Sequence, residues 1–175
     1  LTSRGAETDR IMGFELGVKI VSVADINIDK AKEVMLEKGI NTGEITFYTH
    51  YEEMLEREKL DGVLIGTRCS LHAKIAIDVL EKKIPLFLEK PVATNMDDLF
   101  ALKRAAEKST SEVVVSFPLR VSPIVELAQD IVESGKLGAI EHVQAHNNVP
   151  YGGVYYHNWY RDEGETQGLF LQKAT

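Results

Sequence analysis

The chain has 175 residues, 44% of them hydrophobic and 27% charged, the make-up of an ordinary soluble globular protein of roughly one domain or slightly more. Its formal net charge of −7 and pI of about 5.3 argue against nucleic-acid partners, because a phosphate backbone is held by clustered Lys and Arg. A single cysteine, Cys69, excludes an intrachain disulfide framework and a thiolate metal cluster, and no stretch nears the ~20 apolar residues that span a bilayer.

Residues 18–26, VKIVSVADI, predict a β-branched strand that ends in an acid. The following NIDKAKEVMLEKG carries Ala31, Val34, Met35 and Lys38 at helical spacing, with Gly39 as its stop. ITFY (45–48) is a short strand, and Thr49 with Glu52 forms a capping-box pattern that opens the next helix. DGVLIG (61–66) and IPLFL (84–88) are continuous apolar runs, which predict strands buried on both faces. Between them, SLHAKIAIDVLEKK starts at an N-cap Ser70 and lines up Leu71, Ile75, Val79 and Leu80. Thr94 with Asp97 predicts a further helix bearing Met96, Leu99, Phe100 and Ala106, and SEVVVSF (111–117) a further strand.

Strand and helix thus alternate about four times, the mark of a parallel sheet with right-handed crossovers. After Phe117 the texture changes. Ser122 and Pro123 open an amphipathic helix that ends near Gly135 and Gly138, and AIEHVQAHNNV (139–149) reads as one strand of an antiparallel sheet. The expected fold class is α/β, a doubly wound Rossmann sheet over residues 1–118, followed over 119–175 by the start of an α+β domain with a mostly antiparallel open sheet. Both ends are expected to be cut: the first strand and most of a glycine loop are missing ahead of Leu1.

Several residues sit where such a fold does chemistry. Asp25 closes the first visible strand, where a carboxylate accepts hydrogen bonds from both adenosine ribose hydroxyls; it reads equally as a strand-end turn residue. Arg4 and Gly5 are the visible part of a candidate phosphate loop, Gly5 standing at the third glycine of G-x-G-x-x-G. Thr67 and His72 follow one apolar strand and begin the next helix. Glu89 and Lys90 end another, and Pro91 forbids its easy continuation. His142 and His146 are four apart, but on a strand that puts them roughly 13 Å apart on one face, so no metal site is expected.

VADINIDKAKE, DGVLIGTRCSLHAKIAIDVLEKKIPLFLEKPVATN and IVESGKLGAIEHV, in this order, resemble the glucose-fructose oxidoreductase and inositol dehydrogenase family, Gfo/Idh/MocA. The resemblance implies an NAD(P)-binding oxidoreductase acting on CH–OH groups, twice as long as this chain, forming a homo-oligomer through its C-terminal sheet. It puts Lys90 beside the nicotinamide and the reacting carbinol, where without it a salt bridge with Glu89 would serve. It brings Thr67 and His72 to the nicotinamide end as well, where His72 would otherwise be a cap or packing residue. Trp159 and Arg161, with one residue inserted between them, stand for a family Trp-Arg pair, or else for an aromatic interface patch. Gln172 falls at the family's catalytic aspartate and the histidine just beyond Thr175, with Lys173 as a second active-site cation or a surface lysine.

Asp25 with no arginine after it favours NAD over NADP, and the expected substrate is a small sugar, polyol or inositol-like alcohol. Two rivals stand beside this dehydrogenase: an NAD-dependent glycoside hydrolase of the same family, which oxidises its sugar transiently, and a catalytically silent nucleotide-sensing protein. The expected compartment is the reducing cytoplasm, with an export signal ahead of Leu1 left open.

Overall fold

The computed structural model describes residues 17–146 and 157–168. In chain order the elements are β1 (Ser22–Ala24), α1 (Ile28–Glu37), β2 (Thr46–Tyr48), α2 (Tyr51–Arg57), β3 (Val63–Ile65), a 3-10 turn (Cys69–Leu71) that runs into α3 (His72–Glu81), and β4 (Leu86–Glu89). Then follow α4 (Met96–Lys108), β5 (Val113–Ser116), a 3-10 turn (Pro118–Val121), α5 (Pro123–Glu133), a 3-10 turn (Trp159–Arg161) and the short α6 (Glu163–Thr166).

Among the described residues all strand pairs are parallel. β1 pairs with β2, Val23 opposite Phe47, and β4 lies between β3 and β5, with Leu64 opposite Phe87 and Phe87 opposite Val114. The orders β2–β1 and β3–β4–β5 match the two flanks of the first strand in the doubly wound order 3-2-1-4-5-6. A continuous apolar core joins these two parts. Tyr48, Met54 and Leu55 pack in one cluster with Ile65, Ile75, Val79, Leu80, Leu86 and Leu88, with Ala24 against it, so β1, β2, β3 and β4 share one core, and β5 is held to it by pairing with β4. The Tyr51 hydroxyl adds a polar tie by donating to Asp78 at 2.6 Å, from α2 to α3. A smaller cluster of Val23, Met35 and Ile40 seats α1 on β1, and Gly39, at φ +77°, makes the left-handed turn that ends this helix.

Several local expectations are corrected. β3 and β4 are not buried on both faces: α3 and α4 cover one side, and the row Leu64, Phe87 and Val114 on the other is 43%, 40% and 55% exposed. Thr49 does not cap α2, whose N-cap is His50 without a side-chain bond. Ser70 lies inside the 3-10 turn, so α3 starts two residues later, at His72, and Leu71 is exposed. For α4 the cap is Asn95, whose side chain accepts from the Asp98 N–H, while Thr94 is buried; Leu102 carries the core contact and Met96 and Phe100 face out. Of the strand expected over 139–149, residues 139–146 form none, since a strand exists only through a ladder and no partner strand lies beside them among the described residues, and residues 147–149 lie outside the described residues. α5 does start at Ser122 and Pro123, as the N1-proline pattern predicts. Among the described residues no helix is long and apolar enough to cross a membrane.

Candidate active site at the strand ends

Parallel strands send all their carboxyl ends to one edge, and the loops leaving that edge carry the chemistry. Asp25 is the first residue beyond β1. Its backbone N–H donates to the Tyr48 carbonyl at 3.0 Å, continuing the ladder, and its Oδ1 accepts the Asn27 N–H at 2.8 Å. The half-buried carboxylate is therefore fixed by its own turn just before α1, which Asn27 caps through the Lys30 N–H.

β3 leaves through Gly66 into Thr67, which is exposed, and β4 leaves through Glu89 into Lys90 and the buried Pro91, across a cis Lys90–Pro91 peptide. Glu89 lies opposite Ser116 of β5 and accepts that hydroxyl's hydrogen bond at 3.1 Å. Its carboxylate is thus turned along the sheet toward β5, and Lys90, half-buried, follows at the very end of the central strand of its sheet.

His72 joins the two exits. It is only 1% exposed, with Nδ1 2.7 Å from the Pro91 carbonyl oxygen and Nε2 3.1 Å from the Thr67 carbonyl oxygen. Carbonyl oxygens only accept, so a neutral ring satisfies one of them and an imidazolium both. Either way the ring spans from the loop after β3 to the loop after β4 and fixes the spacing of Thr67 and Lys90. Both of its nitrogens face protein carbonyls.

A distant segment comes to the same place. Trp159 stacks on Tyr160, with centroids 4.0 Å apart, and the Arg68 guanidinium lies 5.9 Å from the Trp159 ring centroid. Arg68 also donates to Glu165 at 2.8 Å, and Ser70 donates to the other oxygen of the same carboxylate. The Ser70 hydroxyl and the Arg68 guanidinium hold the Glu165 carboxyl below the usual carboxylate range. Trp159 is thereby brought to the β3 exit, while Arg161, two residues on, is exposed.

Contacts through His72 and Arg68 thus join Thr67, the Lys90-Pro91 turn and Trp159, while Asp25 and Glu89 stand at the ends of their own strands. Arg4, Gly5, Gln172 and Lys173 lie outside the described residues. Three participants went unseen in the sequence: Ser116 behind Glu89, Arg68, and Glu165, while Ser70 reads there only as a helix cap. Their partners lie 27, 97 and 95 residues away, so no local spacing could reveal them. No group of three or more His, Cys, Asp or Glu side chains among the described residues is arranged to hold a metal ion.

A parallel sheet with crossover helices, an acid ending β1 and polar loops at one edge define a dinucleotide-binding α/β protein. The sequence pattern of the oxidoreductase family with an NAD-binding Rossmann fold, Gfo/Idh/MocA, matches residues 5–117, and the chain belongs to that family. It is 26% identical over 158 residues to the scyllo-inositol 2-dehydrogenase (NAD(+)) of Bacillus subtilis (strain 168), covering 90% of this chain and 41% of that protein. It is also 26% identical over 155 residues to glycosyl hydrolase family 109 protein 1 of Phocaeicola vulgatus, covering 83% of this chain and 33% of that protein. Among solved structures, myo-inositol 2-dehydrogenase from Lactobacillus plantarum aligns with a TM-score of 0.68 at 20% identity, over 78% of this chain and 39% of that one; at such identity the likeness is one of fold. The chain spans less than half the length of each of these relatives.

Proposed function

We propose that the chain is the NAD-binding part of an oxidoreductase that moves a hydride between a secondary alcohol of a sugar, polyol or inositol-like substrate and nicotinamide. The observation that carries the reading is that His72 ties Thr67 to the Glu89-Lys90-Pro91 turn at the carboxyl ends of β3 and β4, with Asp25 at the carboxyl end of β1, within a family that binds NAD. Bound there, NAD supplies the hydride acceptor, and the rest falls to the protein's own residues.

Asp25 suits the adenosine ribose: one carboxylate oxygen is held by the Asn27 N–H, which orients the group to accept from hydroxyls and repels a 2′-phosphate. That is why NAD is preferred to NADP in this reading. Lys90 is assigned to the reacting carbinol, where its ammonium orients the substrate hydroxyl and eases loss of its proton. Glu89, anchored by Ser116, flanks Lys90 at the nicotinamide end. His72 is assigned a positioning role, since its ring ties the Thr67 and Lys90 loops together instead of pointing to a ligand. Trp159 and Arg161 belong to the nicotinamide end, and Lys173 to a second cationic position in the same site. Residues 119–175 in this reading begin a second domain that completes the substrate pocket and a homo-oligomer interface.

A second reading draws on the similarity to the glycosyl hydrolase family 109 protein, which extends over 83% of this chain. In it the sugar is oxidised transiently by NAD with the same Lys90 orienting the hydroxyl, the glycosidic leaving group departs by elimination with loss of a ring proton, water adds in its place, and the hydride returns to the sugar. One experiment separates the two. The full-length protein is given NAD with a panel of polyols, sugars and nitrophenyl glycosides while reduced nicotinamide and nitrophenol are followed together. Reduced cofactor accumulating in step with substrate consumption supports the dehydrogenase. Nitrophenol without net reduction supports the glycosidase, and neither signal with any member of the panel would overturn both.

A further inference from the structure

The contact between the 157–168 segment and the turn after β3 does more than fill space. Glu165, at the third position of α6, accepts from the Arg68 guanidinium at 2.8 Å and from the Ser70 hydroxyl, so one carboxylate engages two donors on a turn nearly a hundred residues earlier. Behind it Thr166 is 1% exposed, its hydroxyl donating to the Asp162 carbonyl at 3.0 Å and accepting the Gly168 N–H at 3.2 Å. Asp162 caps the same short helix through the Gly164 N–H at 2.9 Å. α6 is only four residues long and has no core of its own, so its place against the turn rests on these polar contacts and on Thr166.

Arg68 is shared. The guanidinium that pairs with Glu165 also faces the Trp159 ring, and Arg68 directly follows Thr67, whose carbonyl His72 holds. A chain of named contacts therefore runs from Glu165 through Arg68 to Trp159 on one side and to the Thr67 loop on the other. Charge-assisted hydrogen bonds of this kind are stronger and more directional than neutral ones, and the Glu165 carboxylate is about three-quarters withdrawn from solvent.

We infer that Glu165 is a positioning residue for the active site: through Arg68 and Ser70 it latches the Trp159 segment over the exit of β3 and so sets where Trp159 stands relative to Thr67. This rests on the dehydrogenase reading for its catalytic consequence, but not for the latch itself. In that reading Asp25, which bonds to Tyr48 and Asn27, serves the adenosine end, whereas Glu165 bonds to Arg68 and Ser70, so loss of Glu165 is expected to affect turnover more than NAD affinity.

The test uses the full-length protein and the variants Glu165→Ala, Glu165→Gln, Arg68→Ala, Ser70→Ala and the combination of Glu165→Ala with the other two. Emission from Trp159, isolated by difference against Trp159→Phe, reports the latch without any assay of activity. Glu165→Ala should shift that emission to the red and raise its quenching by acrylamide, with Glu165→Gln in between because an amide oxygen still accepts one bond. For catalysis, kcat should fall about tenfold, the size expected for a charge-assisted hydrogen bond of roughly 1.5 kcal/mol, while the NAD dissociation constant changes less than about twofold. In the Arg68→Ala, Ser70→Ala background, Glu165→Ala should add nothing further, since coupled residues are not additive.

Unchanged Trp159 emission in Glu165→Ala, or fully additive effects in the triple variant, would overturn the latch. A red shift with unchanged kcat would overturn the positioning role and leave the latch merely structural. Absence of dehydrogenase activity in the parent protein would count against the functional reading alone, because the emission and its additivity are read independently.

Discussion

At the residue scale the proposed function assigns separable tasks to a few side chains. Lys90→Met keeps the bulk of the side chain and removes the ammonium; kcat is expected to fall by about a hundredfold or more, the usual share of a positioned acid–base group, with NAD binding retained by fluorescence titration. Loss of NAD affinity of the same size would place Lys90 in cofactor binding instead. Asp25→Ala should do the reverse. It removes an acceptor held in place by the Asn27 N–H, so the NAD dissociation constant should rise by about tenfold or more while kcat at saturating NAD stays close to the parent's. NADP, repelled by the carboxylate in the parent, should gain relative to NAD, and an unchanged NAD/NADP ratio would sink the assignment.

At the scale of elements, β4 is the strand on which the site rests. Leu88 is buried between α3 and the strand layer, one residue ahead of Glu89. Leu88→Ala should destabilise the fold by about 3 kcal/mol, the transfer loss plus an unfilled cavity, measured as a lowered denaturant midpoint at unchanged m-value. The α6 latch should respond to acid. Glu165 has its pKa lowered by Ser70 and Arg68, so its contribution is complete above the ordinary carboxylate range and is lost as pH falls through the lowered value. The Arg68 guanidinium and the neutral Ser70 hydroxyl face this carboxylate, and Asp162 and Glu163 are the other acidic side chains of the same segment. The difference in Trp159 emission between the parent and Glu165→Gln isolates the Glu165 share. It should vanish only below the ordinary carboxylate range, and a difference that vanished near neutrality would contradict the lowered pKa.

For the whole molecule, the two parallel sheets share one core on the helix-covered side, whereas Leu64, Phe87 and Val114 lie on the other side in a partly exposed row. Stability should therefore be uneven. Amides of β4, paired on both sides and backed by α3, should exchange hydrogen most slowly, and those of α5, with no buried residue, much faster. Equal protection of β4 and α5 in the 175-residue chain would show that α5 has a packing partner there.

Much of this protein was legible in its sequence because the informative signals are local. Apolar runs broken by Gly39, Pro91 and Pro123, with helical spacing between them, determine an alternating α/β order, since backbone sterics and hydrophobic periodicity act over a few residues. They also mark Asp25, Thr67 and Lys90 as strand-end residues, and Glu89-Lys90-Pro91 with the upstream Ser70 and His72 carries the family. Where the sequence misled, Asn95 displaced Thr94 as a cap and a 3-10 turn took Ser70, both local competitions, and among the described residues no ladder partner lay beside residues 139–146. Only the tertiary structure decided that His72 turns both ring nitrogens onto the Thr67 and Pro91 carbonyls, that Ser116 anchors Glu89, and that Glu165 reaches Arg68 and Ser70. Those pairings join residues far apart in the chain or on separate loops, and they exist because parallel pairing brings strand ends to one edge. Distance along the chain carries no trace of that geometry.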